Sequence, residues 1–356
     1  MARAQIPQTN SRNQLIELCR FIAAILIVCH HSDIFGKRVL FIGCWVFVEF
    51  FFMLTGYFTT RHFSRLPPSC NWYRDALVYV RDKLVRIAPY AWLGIALGFL
   101  VLKPWAASAE TLLTQLLSLP FNLLFLKGST LAIKSLSFDA PLWYLTLIML
   151  FLPPIIVGMK RHENAYKYII CWLVPILMMS YNMETMGKVS VWEVSIGKMI
   201  RGASDLILGS LVYYISERLR SRLAARNRLS FVKILSIVVL ALLCYLTITI
   251  KGGGTGLSAE ITFVAFLSIL LLVTDNRNIT NIPLVHAITS YLGRLSMPVF
   301  CLHYPVEQMV QLYVPSLSLN RKLALSIAIA IPLSMIVMLI IDRHTVAKSK
   351  KQAGST

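Results

Sequence analysis

Ten stretches of apolar sequence, each long enough to cross a bilayer, constrain this chain more than any other feature. They fall at about 15–34, 40–60, 87–103, 141–159, 167–183, 200–216, 231–250, 258–274, 295–313 and 322–341. Hydrocarbon offers no water to backbone N–H and C=O groups, so a run of about 20 apolar residues satisfies them as a helix. The expected fold class is an all-α polytopic integral membrane protein of about ten transmembrane helices. Hydrophobic residues make up 57% of the chain and charged residues only 14%, where a soluble domain carries about a quarter.

Charge sets the expected threading. The net charge of +19 would suit a nucleic-acid partner, but the basic residues stand in short clusters between apolar runs, as in cytoplasmic loops beside anionic lipid. With both termini in the cytoplasm, inside segments hold 23 of the 35 Lys and Arg. An eleventh apolar stretch, 112–126, is short and contains Pro120 and Asn122. Counting it as a crossing would put Arg218, Arg220, Arg222, Arg226 and Arg228 outside, against the positive-inside tendency. It is therefore expected to be re-entrant or interfacial. The implied organisation is a cytoplasmic segment at 1–14, a transmembrane domain at 15–341 and a basic cytoplasmic tail at 342–356. No small-residue cleavage site follows the first apolar run, so it reads as a retained span. The glycine-rich 251–256 lacks the ending of a phosphate loop and reads as an outer turn. Seven cysteines show no disulfide framework or metal-ligand spacing, and no metal is expected.

The informative residues are polar ones inside these runs. Arg20 and His31 are eleven apart in the first span. At about 100° per residue this puts both on one stripe, roughly 16 Å apart along the axis. Such groups in a membrane usually face a cavity or path. A neutral imidazole at His31 can take a proton from a hydroxyl; the alternative is a helix–helix hydrogen bond. Glu17, three residues before Arg20, is placed for an intrahelical ion pair. Glu49, within Val48-Glu49-Phe50-Phe51-Phe52, needs a donor, because an unpaired carboxylate there is costly. Arg20, His31 or another group could supply it, and contact with His31 would orient that ring.

Arg81, Lys83 and Arg86 stand at the cytoplasmic end of the third span. They read either as positive-inside anchors or as a clamp for an anionic cofactor's phosphates. Arg201, near the outer end of its span, reads as a snorkelling side chain. Trp143 and Tyr144 open another span, as interfacial aromatics or as lining for a substrate path. His303 is a further proton-handling candidate, without a spacing partner.

Together these segments resemble the acyltransferase 3 family of bacterial membrane enzymes. Arg20 and His31 match its arginine–ten residues–histidine motif. Phe47 to Phe58, F-V-E-F-F-F-M-L-T-G-Y-F, resembles its G-V-D-x-F-F-x-x-S-G-F segment, with Glu49 for Asp and Thr55 for Ser. The run from Arg81 to Pro89 looks like its basic segment ending in proline, with Lys83 and Arg86 where an arginine pair is usual. Leu292 to Val306 is similar to its closing L-G-x-x-S…H-x-P element. One departure is clear: where many members continue past the tryptophan as S-x-x-E-E, this chain runs Trp143-Tyr-Leu-Thr-Leu-Ile-Met149.

The resemblance implies an inner-membrane O-acyltransferase. It would move an acyl group, often acetyl, from cytoplasmic acyl-CoA to a hydroxyl of a cell-surface polysaccharide or lipid-linked glycan precursor. By the same implication His31 is the general base, and Arg20, Lys83 and Arg86 bind the donor, with Arg81 able to add to them. The rival reading is a transporter or flippase for a lipid-linked glycan, though no internal hydropathy repeat supports it.

Overall fold

The computed structural model describes residues 13–36, 40–67, 69–101, 108–127, 137–184, 190–191, 194–226, 228–249, 258–275 and 277–353. The expected turn at 251–256 and most of the 1–14 segment lie outside them. The described chain is helical: α1 (Gln14–Gly36), α2 (Val46–Phe63), α3 (Trp72–Val101), α4 (Ala109–Leu123), α5 (Trp143–Arg161), a single turn α6 (Glu163–Ala165), α7 (Cys171–Glu184), α8 (Ile196–Ala225), α9 (Leu229–Thr249), α10 (Ser258–Thr274), α11 (Pro283–Tyr313) and α12 (Leu319–Ala353). One two-residue strand pair, β1 (Ser190–Val191) and β2 (Val194–Ser195), precedes α8. Among the described residues six helical stretches are long and apolar enough to cross a membrane: Gln14–Ser32, Ile42–Phe63, Trp72–Val101, Ala140–Arg161, Leu229–Thr249 and Leu319–His344.

The most enclosed of these is α2, with Phe50, Phe52, Met53 and Tyr57 fully buried. It packs along α8, while α1 packs along α11, and α11 also contacts α3 and α12. Close approach of α2 and α8 depends on two glycines. A Cβ at Gly56 would collide with the Leu206 carbonyl, and one at Gly209 with the Met53 carbonyl. Small residues at such crossings let helix backbones touch, which is how helices gain packing energy in lipid.

Local chemistry fixes where α1 starts. The Asn13 side-chain oxygen accepts from Leu15 N (2.9 Å) and Ile16 N (3.0 Å), satisfying amides that an open helix end leaves unpaired. Next to it, the Gln14 side-chain oxygen accepts from Ile279 N and Thr280 N at 3.0 and 3.1 Å, and its Nε2 donates to the Thr280 carbonyl at 2.9 Å. The beginning of α1 is thereby tied to the approach to α11, and the two helices run side by side in the same direction.

The expected interfacial stretch is α4. Its 15 residues reach about 22 Å, short of the ~30 Å hydrocarbon core. Gln115, Ser118 and Asn122 face inward while Leu113, Leu116 and Leu117 are exposed, an amphipathic division suited to an interface. Just past its end, Phe125 adopts a positive φ of 56° and the chain turns back. Two helices extend beyond the apolar windows. The basic tail from 342 is helical as far as Ala353, since α12 continues into it with no Gly or Pro to stop it. Likewise, Arg81, Lys83 and Arg86 lie well inside α3, which begins at Trp72.

Candidate active site

Polar groups gather at two levels of the bundle, with a narrow aromatic cleft between them. The first level lies near the start of α1. There Arg20 Nη1 donates to Glu17 Oε2 at 3.0 Å, one turn back on the same face. Across from them Gly293 of α11 lies so near that an added Cβ would overlap the Glu17 carboxylate. Lys83 of α3 stands within electrostatic reach of Arg20 and Arg86. Three cations thus share one region with one paired carboxylate. Arg86 Nε donates to the Asp82 carbonyl at 3.0 Å. Arg81 is held elsewhere, by 3.0 and 2.8 Å bonds to the Asp82 carboxylate, which already compensates its charge.

The second level lies about 16 Å further along α1. His31 is half-buried, its ring 5.3 Å from that of His303 and 5.3 Å from that of Tyr304 on α11. Among the described residues it makes ring contacts and no hydrogen bond, which leaves its nitrogens open to a reactant. His303 is fully buried, and its Nδ1 contacts the Phe300 and Val299 carbonyls at 2.8 and 3.1 Å. A carbonyl can only accept, so Nδ1 carries the proton and Nε2 is left as an acceptor, with no partner among the described residues. Buried Glu307 follows one turn later, and buried Asp139 and Glu307 both lie within electrostatic reach of Tyr304.

Between the levels, Phe51, Tyr144, Ser296, Met297 and Phe300 line a cleft with about 10 Å³ of free space, room for roughly one water. Tyr144 is within electrostatic reach of Arg20. Its hydroxyl meets Thr55 Oγ1 at 2.7 Å and its ring lies 5.7 Å from Phe300, which is 6.0 Å from His303. Ring contact therefore runs from Tyr144 through Phe300 and His303 to His31. Trp143, next in chain to Tyr144, stacks obliquely on Phe52 at 5.5 Å and faces Lys198 Nζ at 6.0 Å.

One open choice closes and one expectation changes. The donor that Glu49 needs is neither His31 nor Arg20 but Arg201. Glu49 Oε1 accepts from Arg201 Nε at 2.6 Å and its Oε2 from Thr262 Oγ1 at 2.7 Å, joining α2 to α8 and α10. Correspondingly, Arg201 does not snorkel: it ion-pairs with Glu49 and lies over the Trp45 ring at 4.4 Å. Both outcomes follow from the cost of a lone buried carboxylate, which draws in the nearest cation. By contrast His303, which had no spacing partner in sequence, stands beside His31.

Sequence reasoning missed Lys198, which lies within electrostatic reach of His31. Its one signal was its position one turn before Arg201. Asp139 and Glu307 were missed as well. Glu307, four residues after His303 and on the same helix face, could have been found by spacing; Asp139 sits in a loop and carried no periodic signal.

The acyltransferase 3 family model, an acyltransferase domain, matches residues 13–343, nearly the whole chain. No curated protein and no solved structure gives a significant match.

Proposed function

The chain belongs to the acyltransferase 3 family and is a membrane acyltransferase, and on that premise we propose that it moves an acyl group, acetyl in the first instance, from cytoplasmic acyl-CoA to a hydroxyl of a cell-surface polysaccharide or its lipid-linked precursor. The observation that supports the reading is that Arg20 and Lys83 stand at one level of the bundle and His31 at another, with Tyr144 and Phe300 between them. An acyl-CoA has an anionic head and a slender pantetheine arm; cations at one level and a base about 16 Å further along α1 match that spacing.

In this reading ten helices span a bacterial inner membrane, α4 lies at an interface, and both termini are cytoplasmic. Arg20, Lys83 and Arg86 hold the donor's phosphates, since guanidinium and ammonium groups bind them with charge-assisted hydrogen bonds. Arg81 is an outlying contributor, its charge shared with Asp82. The arm passes Tyr144, and the thioester comes to rest beside His31. An acceptor hydroxyl gives its proton to the His31 imidazole as its oxygen bonds the thioester carbon. The tetrahedral oxyanion then collapses, the carbon–sulfur bond breaks, and the imidazolium returns the proton to the departing thiolate. Trp143 and His303 line the acceptor side, Trp143 as an apolar face for a sugar ring and His303 through its free Nε2. Glu49 acts at one remove: its bond to Arg201 holds α8, and with it Lys198, near His31.

Purified protein in liposomes tests this with acyl-CoA labelled in the acyl group. Release of free CoA with transfer of label to an added glycan acceptor supports the reading. Glycan movement across the bilayer with the acyl-CoA unconsumed contradicts it and favours the transporter reading.

A further inference from the structure

At the end of the bundle that the proposed topology puts in the cytoplasm, a cavity of about 810 Å³ opens between the α6–α7 region and the last turns of α8. It lies apart from the Arg20–His31 path, and none of the residues assigned to acyl transfer lines it.

Its charges are unbalanced. Lys167, Arg218 and Arg222 line it, the two arginines one turn apart on α8. Among the described residues neither arginine forms an ion pair. Two carboxylates also reach the wall, but Glu217 is occupied by Arg220 Nη1 at 2.7 Å, leaving Glu163 as the one acid to set against three cations. Lys167 is drawn over two aromatic rings, Tyr168 at 5.1 Å and Tyr214 at 5.4 Å. It belongs to a π-helical turn, Tyr166–Ile170, a distortion that costs helix geometry and is often found at functional sites. The Tyr214 hydroxyl is buried with no hydrogen-bond partner among the described residues, so a donor awaits an acceptor there.

The surroundings indicate where that acceptor comes from. Trp172 lines the cavity and is half exposed. Leu173, Ile176 and Leu177 continue from it along α7 as an exposed apolar face. An anion with an attached hydrocarbon tail would fill the cavity with its head and lay its chains along α7. Basic pockets between helices on the cytoplasmic side suit such headgroups.

We propose that this cavity binds the phosphate headgroup of an anionic phospholipid of the inner leaflet, held by Lys167, Arg218, Arg222 and the Tyr214 hydroxyl. The inference rests on the proposed orientation of the bundle but not on the acyl-transfer chemistry.

Native mass spectrometry of the full chain in detergent tests it, with phosphatidylglycerol and phosphatidylcholine of identical chains as probes. Phosphatidylglycerol is expected to bind at least tenfold more tightly. That preference should vanish in the triple variant Lys167→Gln, Arg218→Gln, Arg222→Gln and fall severalfold in Tyr214→Phe; if the triple variant does not stay monodisperse, Tyr214→Phe and Arg222→Gln alone decide. Equal binding of the two lipids, or an undiminished preference in the variants, overturns the proposal. Displacement of the lipid by millimolar sn-glycerol 3-phosphate would make the ligand a soluble phosphate, and displacement by CoA would assign the cavity to the acyl donor; either result also overturns it. Because the readout is lipid binding, loss of this inference leaves the acyltransferase reading standing.

Discussion

Glu49 and Arg201, separated by 152 residues in sequence, meet at 2.6 Å in the membrane-spanning core, the carboxylate 3% exposed and the guanidinium 28%. Thr262 takes the second carboxylate oxygen, so one acid fastens three helices. Asp205, one turn beyond Arg201, is buried with no hydrogen-bond partner among the described residues. Arg201→Met therefore leaves the buried Glu49 carboxylate without its cation. A loss of about 3–5 kcal/mol is expected, read as a lower thermal midpoint in detergent. Adding Glu49→Gln to that variant should recover part of the loss; no recovery would show that the pair is not coupled.

A second expectation concerns the donor end. In Gly293→Ala the new methyl would occupy the space of the Glu17 carboxylate. Displacing that carboxylate removes the group that holds Arg20 in place. One charge-assisted hydrogen bond is worth roughly 1.5–3 kcal/mol, so KM for acyl-CoA should rise about tenfold or more with kcat little changed. A fall in kcat at constant KM would mean that Arg20 does not serve donor binding.

The α2–α8 crossing offers a test of packing. Gly56→Ala and Gly209→Ala each place a methyl against the opposing backbone, where no rotamer change can make room. Each should destabilise the protein by about 1–3 kcal/mol. The double variant should cost less than the sum, because one separation of the helices accommodates both methyls. Thermal melting of the three variants checks this, and full additivity would contradict it.

At the turn after α10, Asp275 accepts from Arg277 Nε at 2.8 Å and Nη2 at 2.9 Å, with Lys233 Nζ 3.7 Å away. Burial pushes the carboxyl up, but the Arg277 hydrogen bonds and the Lys233 charge outweigh it and hold Asp275 below its ordinary value. A lowered folded-state value means the stabilisation is fully present above about pH 4 and is lost as the pH falls through that lower value. Arg277 is half exposed, so the contribution is about 1 kcal/mol. The melting difference between wild type and Asp275→Asn should be constant from pH 7 to 5 and shrink below pH 4; a gap that widens on acidification would contradict it.

Much of this was legible in sequence because membrane helices announce themselves locally. Arg20 and His31 share a helix face by spacing alone, and among the described residues each apolar window overlaps a helix. Contacts between helices were not legible. Glu49 plainly needed a cation, but nothing in the chain near it distinguishes Arg201 from Arg20, since pairing across the bundle depends on which helices are neighbours. His303 beside His31, and Lys198 over the Trp143 ring, were hidden for the same reason. The extent of α3 and α12 was missed because charged residues end a hydropathy window without ending a helix.

The proposed role of His31 in acyl transfer is tested most directly by the surface-glycan mass of a deletion strain. The strain would be complemented with wild type or His31→Ala at equal membrane abundance. General-base assistance is worth about 10²–10⁴ in rate, so the acyl mass should return with wild type and be absent with His31→Ala. Equal restoration of the acylated glycan by both would contradict the mechanism.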